Sequence, residues 1–593
     1  MSDRQPSDSR TLTGLFAASV ARFTDRPAVS DQERTLTYAE LDQRSSALAT
    51  QLRFRGLVAE DRVGVYLRRS VDLFVAILGV LKAGAAYVTI DTRYPDARRD
   101  LMITQSGAKV VVTEPDWNER LEHLGIETVT CRDMPSEGAE SRVFDQPAPH
   151  SAASVLFTSG SSGEPKAIVL EHRNLVFFAC NQSLPQLRPE DRTGQISNVS
   201  FDAFSFEMWS TLAHGAEVVV LPPVPELLAA DFQREMRRRR ITAMLVPTMV
   251  LNHVVREDRD AFASLRVLQV GGDVVRPSAC RELLAGQFRG ELYNLYGPAE
   301  ITTACTIQRI TDAEAAVDSV PIGRPLAGAS VRLMTDDLRP VARGEVGEIH
   351  VGGPGVARGY LDAPDLTDER FLADAAGSGT RWYRTGDLAR EREDGSLEFV
   401  GRADGQVKIR GYRLEPSEVE RGLRRHPEVH EAAVLASGEG NDLHLAAFVV
   451  LDGDLPLADL RAFASAQLPD FMVPSHFITL PEIPANDHGK RDLGALHTLL
   501  KEYRHRQASR VDPVTETERY LADLWSALLG VDAVGANEDF FDLGGHSLLA
   551  FRMQSRIKRE RGVPLSYQAI LQNPTLAGLA AAVDDAARSG EVA

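Results

Sequence analysis

Thr158, Ser159, Gly160, Ser161, Ser162 and Gly163 form a run of hydroxyls and glycines, followed at once by Glu164, Pro165 and Lys166. The glycines let the backbone turn tightly and approach a ligand. Hydroxyls, backbone N–H groups and the Lys166 ammonium are the donors that wrap a polyphosphate. The spacing is not that of a Walker A loop, which needs G-x-x-x-x-G-K-[ST], and a flexible Ser/Gly loop is the other reading. Asp202 stands among aromatic residues in SFDAFSFEMW (200–209). A carboxylate there is costly unless it meets a cation or several donors, so a substrate ammonium or a local cap would serve. In NLYGPAE (294–300) Gly297-Pro298 enforces a turn, Tyr296 offers a ring to a purine, and Glu300 offers oxygens to magnesium. Asp387 follows a glycine in YRTGDL (383–388), as a turn aspartate or a ligand-binding one.

The elements around these residues alternate. Residues 11–30 predict a helix, with Leu15, Phe16, Val20 and Phe23 on one face, and then the strand PAVS. LTYAEL predicts a strand turning into a helix, DRVGVYL a buried strand, and LKAGAAYVTID follows another helix. The HRNL string at His172 starts a helix, and FQREMRRRR ends one, its Arg237 to Arg240 run read as a solvated face at a helix C-terminus. GEIHVGGPGVARGYL (347–361) predicts a strand and a glycine-rich turn of mainly structural role. Alternating strands and helices predict an α/β fold with largely parallel sheets. Residues 501–514 are polar and read as a linker. Beyond them Leu521, Leu524, Trp525, Leu528 and Leu529 recur at helical spacing, predicting a small all-α domain.

Bulk composition narrows the function class. The 593 residues are 43% hydrophobic and 25% charged, ordinary for a globular chain long enough for several domains. A net charge of −18 argues against a nucleic-acid binder, which needs basic surface. The four cysteines are scattered and predict neither a disulfide framework nor a zinc site. The first residues carry no signal-peptide core, and the apolar stretch 73–90 is broken by Lys82 and glycines. A cytoplasmic protein without a membrane span is expected.

Taken in order, these strings resemble the motif series of adenylate-forming enzymes, and within them the adenylation domains of nonribosomal peptide synthetases. GRADGQVKIRGYRLEPSEVE (401–420) resembles that family's hinge motif, and FFDLGGHSLL (540–549) resembles the phosphopantetheine site of a peptidyl carrier protein. The resemblance implies a large adenylation core over residues 1–401, a small mobile α+β subdomain over 402–505, a linker at 506–514 and a four-helix carrier domain over 515–593. It implies ATP, magnesium and a 4′-phosphopantetheine arm on Ser547 as cofactors. Lys166, Glu300 and Lys490 take catalytic roles, with Glu300 holding the metal. The Thr/Ser/Gly run, Asn294, Tyr296, Gly297, Asp387 and Arg402 face the nucleotide, and Asp387 accepts from the ribose hydroxyls. Asp404 is the hinge, and Gly411 lines the path of the incoming thiol. Departures from the family pattern are Thr89 for a proline, Ala299 for a threonine, and Asp487-His488 inside the segment before Lys490.

The same resemblance places Asp202 on the substrate amine and lines the side-chain pocket with Ala203, Phe206, Leu245, Gln269, Gly271, Leu295, Thr303 and Ala304, closed by Lys490. This lining carries no further charge, so a charged side chain would be buried unpaired. A Val/Leu/Ile-like substrate is expected first and a Tyr-like one second; Gln269 and Thr303 offer a hydroxyl or amide partner. No condensation or thioesterase motif occurs in the sequence, so a free-standing loading unit for natural-product or antibiotic biosynthesis is expected. A phosphopantetheinyl transferase, a downstream condensation or tailoring enzyme and a small MbtH-like activator are its implied partners. Two other readings stay open: an acyl- or aryl-CoA ligase, opposed by Asp202 and the Ser547 carrier, and a non-catalytic carrier scaffold.

Overall fold

The computed structural model describes residues 10–131, 147–160, 163–229, 231–316, 318–374, 380–403, 406–409, 412–438, 443–484, 491–507, 511–541, 543, 545 and 547–589. Two sheets of mainly parallel strands form the large core. One joins Glu291–Tyr296, Val267–Gly271, Ala243–Pro247, Arg192–Gln195, Glu217–Val220 and Pro27–Ser30. The other joins Lys166–Glu171, Ala152–Thr158, Ala86–Thr89, Arg62–Tyr66, Val110–Thr113 and Glu127–Val129. Their strands are short apolar runs such as VVVT and AYVT, buried at every residue, as helices on the sheet faces require. Helix Val71–Lys82 is buried from Val71 to Leu81 except at Asp72, and its terminal Lys82 reaches Asp42 at 2.7 Å. Helix Tyr38–Phe54 starts on a capping box between Thr37 and Glu40.

Strands Ala152–Thr158 and Lys166–Glu171 are antiparallel, with Thr158 opposite Lys166. The Ser/Gly run is therefore the turn of a hairpin, and sheet pairing fixes Lys166 at its far side. A third sheet carries Arg381–Glu391 beside Leu397–Arg402, with Asp387 opposite Arg402.

The chain then builds a small α+β unit. The hairpin Val407–Ile409 and Tyr412–Leu414 leads into helix Pro416–Leu423, a three-stranded sheet of Val429–Ser437, His444–Leu451 and His476–Thr479, and helices Leu457–Gln467 and Leu493–Gln507. The last helix corrects the linker reading of 501–514. It runs through Gln507, because Leu496, Leu500 and Tyr503 continue one apolar stripe onto the sheet. Four helices follow, Glu516–Leu529, Ser547–Arg561, Tyr567–Gln572 and Leu576–Ser589, around Leu521, Trp525, Phe540, Met553 and Leu579. The fold is the expected one: an α/β core, a small α+β subdomain and an all-α bundle. No described helix is long and apolar enough to cross a membrane.

Candidate active site

Two adjoining cavities lie where the small unit covers the core. One, about 110 Å³, is lined by Thr158, Ser159, Asp387, Arg402 and Arg413 among others. Its neighbour, about 130 Å³, is lined by Ala203, Leu245, Gly271, Leu295, Thr303 and Tyr412 among others. Phe201, Asp202, Gly272 and Gly297 line both. A larger cavity, about 390 Å³, lies apart from these residues, and Arg34–Asp72 and Arg93–Asp91 ion pairs occupy its wall.

Around the first cavity the polar groups are buried. Lys166 is 7% exposed, and burial pushes its ammonium below the usual value while the Glu300 carboxylate works against that shift. Glu300 Oε1 accepts from the Tyr360 hydroxyl at 2.9 Å, and Arg413 Nη1 stands 3.2 Å from Oε2. Burial alone would raise the Glu300 carboxyl; the Arg413 charge together with hydrogen bonds from the backbone, Tyr383 and Tyr360 outweighs it, and the carboxyl lies below its ordinary value. Asp387 Oδ2 accepts from the Tyr296 hydroxyl at 2.6 Å, and Oδ1 meets Arg402, its cross-strand partner. Gln406 Oε1 then accepts from Arg402 at 2.5 Å and from Arg413 at 2.6 Å, tying the strand to the hairpin.

The loop itself is held closely. A Cβ on Gly160 would lie 1.9 Å from the Glu164 carbonyl oxygen, so only glycine fits. Ser159 Oγ donates to the Arg413 carbonyl at 3.2 Å, while Thr158 Oγ1 is buried without a partner. Thr302 and Thr303, with φ of 61° and 73°, hold left-handed backbone that β-branched residues avoid. That strain aims the Thr303 hydroxyl at the Asp202 carbonyl, 2.9 Å away.

The small unit is clamped onto this site. Arg98 of helix Asp96–Ser106 meets Glu418 at 2.6 Å with both side chains buried, and Arg421 meets Glu164 of the phosphate loop. Tyr412 stacks on Phe471 at 4.1 Å and leans on Phe201 at 5.0 Å, roofing the second cavity. The bundle docks through Arg552, which lies 2.9 Å from Glu257 on helix Thr248–Glu257.

Thr158, Ser159, Asp202, Ala203, Leu245, Gly271, Leu295, Gly297, Thr303, Asp387 and Arg402 are thus brought to the cavities. Phe206, Gln269 and Ala304 are buried beside the second one. Gly163 packs instead on Ser417. Asn294 is not brought in: its amide donates to the Pro321 carbonyl at 2.9 Å. The Tyr296 ring is buried in the core, tilted towards Phe399, rather than turned to a cavity. Ser161, Ser162, Asp404, Gly411 and Lys490 lie outside the described residues, as does the side chain of Ser547, which opens helix Ser547–Arg561. Arg491, beside Lys490, meets Glu420 on helix Pro416–Leu423. Sequence reasoning missed Tyr360, Tyr412, Arg413 and Phe471. Tyr360, Tyr412 and Arg413 had as their only signal a place in two strings read as strand or hinge, and Phe471 lies outside both.

Comparison with known proteins bears on all three units. Residues 16–361 match the AMP-binding enzyme family, 418–490 its C-terminal domain and 519–583 the phosphopantetheine attachment site. Over 97% of its length the chain is 35% identical to gramicidin S synthase 2 of Aneurinibacillus migulanus, of which it spans 13%. It is 36% identical over 98% of its length to phosphinothricin tripeptide synthetase PhsC of Streptomyces viridochromogenes, spanning 53% of that protein. Among solved structures, holo-PA1221, a nonribosomal peptide synthetase protein with adenylation and carrier domains bound to a vinylsulfonamide inhibitor, superposes with a TM-score of 0.81 at 29% identity, covering 97% of each chain. The fused adenylation–carrier didomain NpsA-ThdA from Klebsiella oxytoca superposes with a TM-score of 0.72 at 25% identity, covering 89% of this chain and 99% of that one.

Proposed function

The chain belongs to the AMP-binding enzymes and carries their C-terminal domain and a phosphopantetheine attachment domain; from that premise we propose that it activates an amino acid as aminoacyl-AMP with MgATP and passes the aminoacyl group to its own carrier domain. The observation that carries this reading is the pair of cavities joined at Asp202. One cavity presents a phosphate loop, the other an uncharged pocket, and the carboxylate stands at their junction, where a substrate ammonium would neutralise it. We divide the chain into an adenylation core (1–401), a mobile subdomain (402–507, two residues longer than the expected 402–505 because its last helix ends at Gln507), a linker (508–514) and a carrier (515–593).

The residues present fit the nucleotide and its metal. Thr158 Oγ1 is a buried hydroxyl without a partner, and it lines the first cavity with Ser159. Lys166, Thr158 and Ser159 hold the β- and γ-phosphates, and Glu300 takes magnesium, which neutralises phosphate charge. The substrate carboxylate oxygen bonds to the α-phosphorus, and the bond to the bridging oxygen breaks, with pyrophosphate leaving on its electron pair. The protein's part is positioning and charge, with Lys490 bridging carboxylate and α-phosphate. In the arrangement described, Arg413 occupies Glu300. We assign that arrangement to the second step, with Asp404 as the hinge between the two. Phosphopantetheine on Ser547 would supply the thiol whose sulfur bonds the carbonyl carbon of the adenylate, as the bond from that carbon to the phosphate oxygen breaks, AMP leaves and the thiol proton passes to solvent; Gly411 is the residue we propose for its path.

For the side chain, Leu245 and Leu295 support an uncharged group with an apolar stem, the feature shared by the Val/Leu/Ile-like and Tyr-like expectations. A phosphopantetheinyl transferase and a downstream condensation or tailoring enzyme are the partners we propose, with a small MbtH-like activator as a third, in the cytoplasm.

The test is amino-acid-dependent ATP–pyrophosphate exchange, with Lys490→Ala alongside, followed by mass spectrometry of the loaded carrier in wild type and Ser547→Ala. Exchange with one amino acid, and a mass shift absent from Ser547→Ala, is the expected result. No exchange with any amino acid favours a scaffold instead.

A further inference from the structure

Gln269 is wholly buried, and neither its amide nitrogen nor its amide oxygen has a partner in the protein. It lies on strand Val267–Gly271, whose last residue lines a cavity of about 130 Å³. Alternation along the strand puts Gln269 on the same face as Gly271, which lines that cavity. Its neighbours Leu268 and Val270 point the other way, into a separate apolar cluster. Leu245, in register with Gln269 on the next strand, also lines the cavity. Gly271 lets the backbones pack closely there, for a Cβ would stand 2.8 Å from the Leu295 carbonyl oxygen.

A buried carboxamide with two donors and an acceptor unmet is costly, and the cost vanishes only if a ligand supplies the missing bonds. In register beside it stand Leu245 and Tyr293, neither bonded to its side-chain amide, and Ala203, Leu245 and Leu295 make the cavity wall apolar. Of the cavity's other polar residues, which include Ser197, Asn198, Asp202 and Tyr412, Thr303 has its hydroxyl committed to the Asp202 carbonyl. From this geometry we infer that the substrate side chain is uncharged, has an apolar stem, and ends in a hydroxyl or carboxamide that pairs with Gln269. Either tip can donate to the Gln269 oxygen and accept from its nitrogen. An ammonium or carboxylate tip would meet no counter-charge there. A wholly aliphatic side chain would leave the amide as unmet as the empty pocket does. The inference rests on the adenylation reading and narrows its substrate.

The experiment compares near-isosteric amino acids in ATP–pyrophosphate exchange: threonine with valine, tyrosine with phenylalanine, glutamine with methionine. In the full-length protein the polar member of the accepted pair is favoured by about 100-fold or more, since a site built to pair a polar group discriminates strongly against its absence. Gln269→Met, similar in shape, removes or reverses that preference. An equal or better apolar member, or a preference untouched by Gln269→Met, overturns the inference while leaving adenylation standing. Absence of exchange with every amino acid overturns adenylation and the inference with it. A second readout needs no substrate: Gln269→Met raises the melting temperature of the unliganded protein by removing an unpaired buried amide. A lowered melting temperature means that the amide is already paired, and overturns the inference independently.

Discussion

Arg413 Nη1 stands 3.2 Å from Glu300 Oε2, joining two residues 113 positions apart and belonging to different parts of the chain. On the metal role proposed for Glu300, the guanidinium competes with the cation for this carboxylate. We therefore propose that strand Tyr412–Leu414 withdraws for adenylation and that the covered arrangement serves transfer. Arg413→Ala is expected to slow single-turnover loading of the carrier by about tenfold or more relative to pyrophosphate exchange, because removing one partner of a buried pair costs a few kcal/mol in the state that uses it. Equal losses in the two assays would place Arg413 in a purely structural role.

Lys166 gives a contrasting outcome. It opens the strand paired with Thr158 and is nearly inaccessible, 7% exposed. Lys166→Ala should cost about 10²- to 10³-fold in exchange, the usual loss for one preorganised donor to transferring charge. The measurement is kcat and KM for ATP at saturating amino acid, and an unchanged rate would remove Lys166 from the phosphate site.

Asp202 is the one carboxylate among the four residues that line both cavities. Asp202→Ala should raise KM for the amino acid by about 100-fold or more, since truncating one member of a desolvated charge pair costs about 2–5 kcal/mol. KM for ATP moves little. A matching rise for ATP would show that the substitution disturbs the junction as a whole.

Much of this site was legible because its chemistry is written in short strings. The Thr158 to Lys166 loop needs hydroxyls, glycines and a cation in one turn, and the sheet register of its two strands follows from their apolar runs. Asp387 and Arg402 were legible singly, and their pairing came from strand neighbours that the sequence does not announce. Tyr360 was read as part of a structural strand, and its hydroxyl on Glu300 spans 60 residues. Arg98 and Glu418, 320 residues apart, carry no local sign of each other. Local strings encode donors and turns, whereas the way one unit closes on another is set by tertiary contacts that periodicity does not contain. The helix through Gln507 was missed for the opposite reason, since polar residues outnumber the stripe of Leu496, Leu500 and Tyr503 that holds it.

The carrier's seat is open to a charge swap. Arg552 meets Glu257 at 2.9 Å, and both are partly exposed, so the pair guides docking more than it stabilises it. Arg552→Glu is expected to lower the rate of loading in cis several-fold and to leave pyrophosphate exchange as it was. Adding Glu257→Arg restores loading. The check is the double-mutant comparison, and a double variant no better than the single one would sever the pair from docking.

His172 sets a pH dependence of stability. Its imidazole is wholly buried at the start of helix His172–Ala179, and Nδ1 accepts from the Leu12 N–H at 3.2 Å. Nε2 is buried without a partner, so no carboxylate waits to receive a second proton. Burial pushes the group down to about 4, with Glu60 opposing weakly from a distance. In the unfolded chain the same imidazole titrates near 6.5. Between those values the unfolded state holds a proton that the folded state lacks, so stability falls as the pH falls from about 6.5 towards 4 and is complete above 6.5. The contribution at pH 7 is about 3 kcal/mol, from a shift of between two and three pKa units. His172→Asn keeps an acceptor for Leu12 and removes the titration. Urea unfolding of the large domain at pH 7 and pH 4.5 should show a difference between wild type and variant that narrows towards the lower pH, as wild type loses what the variant never had. Parallel losses in the two proteins would mean that His172 titrates alike in the folded and unfolded chain, and would overturn this prediction.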